Sequence, residues 1–365
     1  MDFYHTGISE DAITNAIECL KSTFLSEGKR VKEFEDRLSD TLGLCNPVAV
    51  NSGTSALHLG LALAGIGPGD EVILPPQTFI ATGMAILMQG AIPVFADIQP
   101  ETGNICPESI GKKITNKTRA IMPVHWGGYP CDMDAIGHLA LTHKLAVVED
   151  AAHALGATYK GQRIGSISRF TALSFQAIKH LTTGDGGAIC CLYPEDAQHA
   201  KTLRWFGIDR ANSIPSILGE REYDAIELGY KYHMNDLAAA VGIGNLSDFP
   251  ANLARVRTIA NRYRTELAGV PGLQLLESNS NRESACWLFT VLVERRVEFI
   301  EKLKSFSIPT SVVHLRIDNN SVFGGLTPNL PGMEYFNSRQ VAIPLHAGLT
   351  DDDVSFVIET VKGGW

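Results

Sequence analysis

From residue 46 onward, short apolar runs alternate with helix-length segments, and glycine, proline and aspartate punctuate the joins. Val48-Ala49-Val50 precedes a stretch near 54–65 in which Leu57, Leu61 and Ala64 recur at helical spacing. Gly65, Gly67, Pro68, Gly69 and Asp70 end that helix, and Glu71-Val72-Ile73-Leu74 reads as the next strand. The rhythm continues with a helix near 79–89, strands at 93–97 and 120–124, a helix near 132–143 and a strand at 146–150. Pro123 predicts an edge position or a bulge for the strand that contains it, because proline brings no N–H to a ladder. Such alternation implies an α/β fold with a mainly parallel sheet covered by helices on both faces. Right-handed crossovers then gather the carboxyl ends of the parallel strands along one edge, where ligands bind in sheets of this kind.

The alternation fades after Gly244. Residues 250–269 read as one long helix, with Leu253, Val256, Ile259, Ala260, Tyr263 and Leu267 on its apolar stripe. Shorter strands and helices follow, suited to a smaller α+β lobe. The expected division is a large domain over 1–245 and a small one over 246–365. With 365 residues and 45% hydrophobic content, the chain is long enough for two such cores. A net charge of −9 argues against nucleic acid or an anionic membrane as the main partner.

No apolar run approaches a membrane span, and the opening MDFYHTGISEDAITNAIECL lacks the layout of a signal peptide, so a cytoplasmic protein is expected. Ser9 is placed as a helix N-cap, with Ile8 and Ile13 as its hydrophobic staple. The seven cysteines are odd in number and show no CxxC spacing, so neither a disulfide framework nor a metal site is expected.

Three groups fall at predicted strand ends. Asn51-Ser52-Gly53-Thr54-Ser55 joins a strand to a helix, where glycine, hydroxyls and a helix dipole suit an anion; taken alone, Ser52 or Thr54 as an ordinary N-cap is the commoner reading. Asp150 closes the run Ala146-Val147-Val148-Glu149, where it can face a bound cation or cap a helix over 151–155. Lys179 lies between the apolar run at 170–175 and the turn Thr-Thr-Gly-Asp-Gly-Gly at 182–187. A partly buried lysine has a lowered pKa and supplies a free amine for imine formation; the alternative is a side chain that snorkels to water. Together, a phosphate cradle, a carboxylate and an amine match the needs of pyridoxal 5′-phosphate (PLP), with Lys179 bonding the aldehyde and Asp150 keeping the pyridine nitrogen protonated.

The chain resembles the DegT/DnrJ/EryC1/StrS family, nucleotide-sugar aminotransferases of PLP fold type I. The matching words are Asn51-Ser52-Gly53-Thr54-Ser55-Ala56-Leu57, Gly69-Asp70-Glu71-Val72-Ile73, Gln77-Thr78-Phe79-Ile80-Ala81-Thr82 and Val148-Glu149-Asp150-Ala151-Ala152-His153. Ser174-Phe175 through Lys179, and Thr182 through Gly187, complete the set, in family order over residues 28–245. The resemblance implies a seven-stranded, mainly parallel sheet. It implies Lys179 as the Schiff-base lysine and Asp150 as partner of the pyridine nitrogen. Phe79 would stack on the cofactor ring, His153 would lie near its phenolic side, and Gly53, Thr54 and Ser174 would hold its phosphate.

A homodimer with shared sites is also implied, in which a segment like Gly229-Tyr230-Lys231-Tyr232-His233-Met234 reaches the neighbour's phosphate. Lys231 and His233 depart from the Asn or Arg usual there. The implied reaction carries an amino group from L-glutamate to C3 or C4 of a nucleotide-linked keto sugar, for amino-sugar, surface polysaccharide or O-antigen biosynthesis. Arg204, Arg221 and Arg316 are candidates for the nucleotide diphosphate, and His314 with Arg316 for acceptor contacts. Relatives that act as sugar dehydratases replace the lysine with histidine. Here the register leaves Lys179 in the slot and His180 one place later, which favours a transaminase. The alternatives are such a dehydratase or another fold-type I lyase, and a non-catalytic sugar-nucleotide-binding paralogue.

Overall fold

A computed structural model describes residues 1–210 and 213–365. Its main sheet has seven strands: β1 (Pro47–Val50), β2 (Glu71–Leu74), β3 (Ile92–Phe95), β4 (Thr118–Ile121), β5 (Ala146–Asp150), β6 (Phe170–Ser174) and β7 (Gly187–Cys191). They lie in the order β1-β7-β6-β5-β4-β2-β3. β7 pairs antiparallel with β1 and β6, and every other pairing is parallel. The sheet is therefore mainly parallel with one reversed strand. That reversal brings the start of β7 to the edge where β6 ends, so the intervening loop opens at the carboxyl edge.

β4 is an interior strand between β2 and β5, not an edge. Its ladder stops at Ile121, so Pro123 lies beyond the pairing that proline would have broken, and the Pro123 carbonyl accepts from the Asp150 N–H at 2.8 Å. The strand does hold a bulge, but four residues before its proline: consecutive Glu71 and Val72 of β2 pair with Thr118 and Ala120, which leaves Arg119 of β4 as the extra residue.

Helices cover both faces. Helix α1 (Glu10–Ser22) starts at Ser9, whose hydroxyl accepts from the Ala12 N–H, and Ile8 and Ile13 stay about half exposed beside it. Helix α2 (Lys29–Leu42) has glycine at its N-cap and no side-chain cap of its own. The buried Asp236 carboxylate supplies one from far along the chain, accepting from the N–H groups of Gly28 at 2.9 Å and Val31 at 3.1 Å. Helix α3 (Gly53–Leu63) packs close on the sheet at Gly60, where a β-carbon would come within 2.9 Å of Val148 Cγ1. Its apolar residues point almost all round, as expected of a helix with no wet face.

Helix Phe249–Glu266 leads to a second, antiparallel sheet of Leu273–Leu275, Phe289–Val293 and Gln340–Ile343. Its middle strand is buried along its whole length. The turns before that strand and after Val313 carry Trp287 and His314 to the carboxyl edge of the main sheet. All seven cysteines are free thiols. Among the described residues, no helix is long and apolar enough to cross a membrane, and no cluster of three His, Cys, Asp or Glu is placed to hold a metal ion.

Candidate active site

A cavity of about 330 Å³ opens at the carboxyl edge, lined by Gly53, Thr54, Phe79, Asp150, His153, Ser174, Lys179, Trp287 and His314 among others. Eight of the residues singled out from the sequence thus meet in one place. β1 delivers the start of α3, β5 ends in Asp150, β6 ends in Ser174, and the β6–β7 loop carries Lys179.

The first N–H groups of α3 have no intrahelical partners, by the geometry of any helix start. Ser52 is the N-cap and its hydroxyl accepts from Ser55 N at 3.0 Å, while no acidic side chain occupies the first turn. At Gly53 a β-carbon would stand 2.9 Å from Ser174 Cβ and 3.2 Å from its Oγ. The glycine lets the helix start and the Ser174 hydroxyl face one small volume, with positive helix charge aimed into it.

Asp150 sits on the floor, 5% exposed. No helix follows it: residues 151–155 form turns, and Asp150 Oδ1 accepts the Ala152 N–H at 3.1 Å. Its Oδ2 accepts from the Thr82 hydroxyl at 2.7 Å, and Thr82 Oγ1 lies 2.6 Å from Thr78 Oγ1. Burial raises the carboxyl above its ordinary range, against the Thr82 and Ala152 hydrogen bonds and the Lys179 charge. One residue back, Glu149 is fully buried and 2.7 Å from His125 Nε2. His125 Nδ1 accepts the Cys131 N–H, so Nε2 carries the ring proton and donates it to Glu149.

Lys179 is partly open to the cavity. Loss of water pushes its pKa down to about 7, with the Asp150 charge pulling the other way. Half of such amines are unprotonated near neutrality, the form needed to attack a carbonyl. His153 lies against Trp287 with ring centroids 3.8 Å apart, and its buried Nδ1 has no partner. Burial and then the Lys179 charge hold His153 well below the ordinary histidine range and take His314 down to about 4. His314 adopts φ +56°, and its carbonyl accepts from the amides of Gln77 at 3.1 Å and Gln340 at 3.2 Å. Phe79, 54% exposed at the N-cap of the helix Ile80–Met88, forms the outer wall.

Arg204 and Arg316 do not take the places expected of them. Arg204 is 4% exposed and clasped by Glu35 at 2.5 Å and Glu27 at 2.6 Å, so it is a buried structural ion pair, not a diphosphate ligand. Arg316 closes its fork on Asp318, at 2.8 and 2.6 Å, and does not line the cavity. Arg221 lies exposed on the small hairpin of Ile214–Pro215 and Arg221–Glu222. Lys231 and His233 pack on Trp205 beside β1, outside their own chain's cavity. His180 turns away from the cavity, its Nε2 2.7 Å from the Ala285 carbonyl oxygen. The sequence did not point to Trp287 or the His125–Glu149 pair, and nothing local marks them. Thr82 stood inside a recognised word, four places after Thr78, a spacing that puts both hydroxyls on one side of a helix start.

An anion cradle, a desolvated amine, a buried carboxylate and an orphaned imidazole nitrogen around one cavity fit PLP, and with this sheet they define a fold-type I PLP enzyme. The chain belongs to the DegT/DnrJ/EryC1/StrS aminotransferase family, whose model matches residues 7–362. It is a PLP-dependent sugar aminotransferase. It is 40% identical to the spore coat polysaccharide biosynthesis protein SpsC of Bacillus subtilis, over 97% of this chain and 94% of that one. Against the GDP-perosamine synthase of Caulobacter vibrioides it is 35% identical, over 94% of this chain and 92% of that one. The crystal structure of the sugar aminotransferase CalS13 from Micromonospora echinospora superposes with a TM-score of 0.95 at 36% identity, covering 100% of both chains.

Proposed function

We propose that this chain transfers the amino group of L-glutamate to C3 or C4 of a nucleotide-linked keto sugar, with Lys179 and Asp150 as its catalytic groups. The observation that carries the reading is the placement of the Lys179 amine, desolvated to about 7, in one cavity with Asp150 and the start of α3. Bound there, PLP supplies an aldehyde that takes up and passes on the amino group, and a ring that accepts electrons from the substrate carbon.

The chain's own groups do the rest. The N–H groups of Gly53 and Thr54 and the Ser174 hydroxyl hold the phosphate, and Asp150, steadied by Thr82 and Ala152, accepts the pyridinium N–H. Lys179 Nζ, unprotonated, takes the proton from the donor's α-carbon and returns one to the acceptor. His153 stays uncharged in its buried place, so it offers a neutral donor beside the cofactor's oxygen and adds no cation to compete with Lys179. Phe79 and His314 wall the cavity and limit water.

The working form is a cytoplasmic homodimer in which Lys231 and His233 reach the partner's phosphate, and the product feeds surface polysaccharide. Purified protein should absorb visible light as a PLP imine does, and borohydride should abolish the band and fix the cofactor to Lys179. Lys179→Ala leaving that spectrum intact overturns the lysine's role. A panel of GDP-, dTDP- and UDP-linked keto sugars with glutamate tests the substrate, and release of 2-oxoglutarate with none of them overturns the proposed acceptor.

A further inference from the structure

Trp287 meets the lysine face on. Lys179 Nζ lies 3.6 Å from the centre of the indole, and the ring is only 3% exposed. Its Nε1–H donates to the Ile178 carbonyl at 2.9 Å, so ring and amine are fastened to the same loop. His153 stacks on the indole, and Tyr4 lies nearly parallel at 5.7 Å, which leaves the ring little freedom to rotate. Asp150, held by Thr82 and Ala152, acts on Lys179 through its charge. Behind the indole is a second cavity of about 250 Å³, lined by Tyr4, His180, Asn252 and His346 and bounded by Lys179 and Trp287 themselves. The indole therefore stands between two hollows, with the amine against its face.

We propose that Trp287 is a positioning residue that receives the Lys179 ammonium whenever that amine is not bonded to the cofactor. This rests on reading Lys179 as the cofactor-bonding amine. A transaminase lysine is set free in each half-reaction and then carries a proton inside a nearly dry cavity. The negative face of an indole attracts that cation without taking a hydrogen bond from it. A carboxylate in the same place would pair with the ammonium and hold it; an aliphatic wall would drive it toward the water of the rear cavity. An aromatic face gives a hold that is weak, undirected and readily surrendered.

The test is the titration of Lys179 in apo-protein, followed by nuclear magnetic resonance after reductive ¹³C-methylation, in wild type, Trp287→Phe and Trp287→Leu. Loss of the ring removes an attraction felt only by the cation, so Trp287→Leu should lower the midpoint by about half to one pH unit. Trp287→Phe should keep most of the wild-type value. A midpoint in Trp287→Leu equal to or above wild type overturns the proposal.

If Trp287→Leu does not fold, tryptophan fluorescence decides. Emission of the wild type should change through the Lys179 midpoint and that change should vanish in Trp287→Phe; persistence of the change overturns the proposal. Borohydride trapping in the same proteins separates the two readings. Failure to trap at Lys179 in wild type removes the cofactor reading, whereas normal trapping with midpoints that ignore the ring removes the Trp287 proposal alone.

Discussion

Lys179 should make the cofactor-free chain less stable in acid than in mild base, and replacing it should remove that dependence. The amine's pKa falls from 10.5 to about 7 on folding, because burial penalises the charged form. The sign follows from proton counting: between those values the unfolded chain binds the proton and the folded chain does not, so stability rises with pH. The penalty is complete below about pH 7, fades above it, and is gone once the unfolded lysine also loses its proton near 10.5. Between pH 6 and pH 9 the difference spans about two pK units, or at most about 2.7 kcal/mol at 1.36 per unit.

Lys179 keeps some contact with pocket water, so a realistic figure is about 1–2 kcal/mol. Methionine has a similar length and no charge, and its packing contribution is the same at both pH values. Urea unfolding of apo-protein should therefore show Lys179→Met more stable than wild type, by about 1–2 kcal/mol more at pH 6 than at pH 9. A gap independent of pH would mean that the amine is as well hydrated as any surface lysine, and the desolvation argument would fail.

Three further outcomes follow from particular contacts. Arg204→Met takes away the buried cation shared by Glu35 and Glu27, leaving them Lys201 and Arg210 at 3.2 Å each, and should cost about 1–3 kcal/mol in thermal or urea unfolding, with kcat unchanged in the folded fraction; a cost below about 1 kcal/mol would show the ion pair to be wet. Asp236→Ala takes the distant cap from α2 and leaves the N–H groups of Gly28, Arg30 and Val31 bare, so a loss of about 1–3 kcal/mol is expected, and amide exchange at Gly28 and Val31 should quicken first; unchanged exchange would discount the cap. Gly53→Ala forces a β-carbon against Ser174 at 2.9 Å, so PLP affinity measured by equilibrium dialysis should drop at least about tenfold while the fold persists; retained affinity would place the phosphate elsewhere.

Much of this architecture can be read from residue order because its signals are local. Apolar runs, glycine punctuation and the placing of Gly53, Asp150 and Lys179 at run ends suffice to predict a parallel sheet and a ligand at its carboxyl edge. What escapes such reading depends on distance along the chain. Arg204 looks like a free cation until Glu35, 169 residues away, closes on it. Pro123 suggests an edge strand because sequence does not reveal that the ladder halts two residues earlier. Asp150 looks like a helix cap, yet the stretch after it turns instead, and its second oxygen meets Thr82, 68 residues upstream. Trp287 reaches Lys179 from beyond the long helix, a meeting that only packing between the two sheets creates.

The reversed strand has a consequence for how such a protein can change. β6 and β7 are zipped in register from Phe170↔Cys191 to Ser174↔Gly187, so residues 175–186 form a closed bow whose two feet cannot drift apart. Lengthening or shortening that bow by one residue would re-aim the amine while every rung of the ladder below stayed paired. Reaction type can thus diverge by editing a dozen positions, leaving the scaffold that bears them untouched.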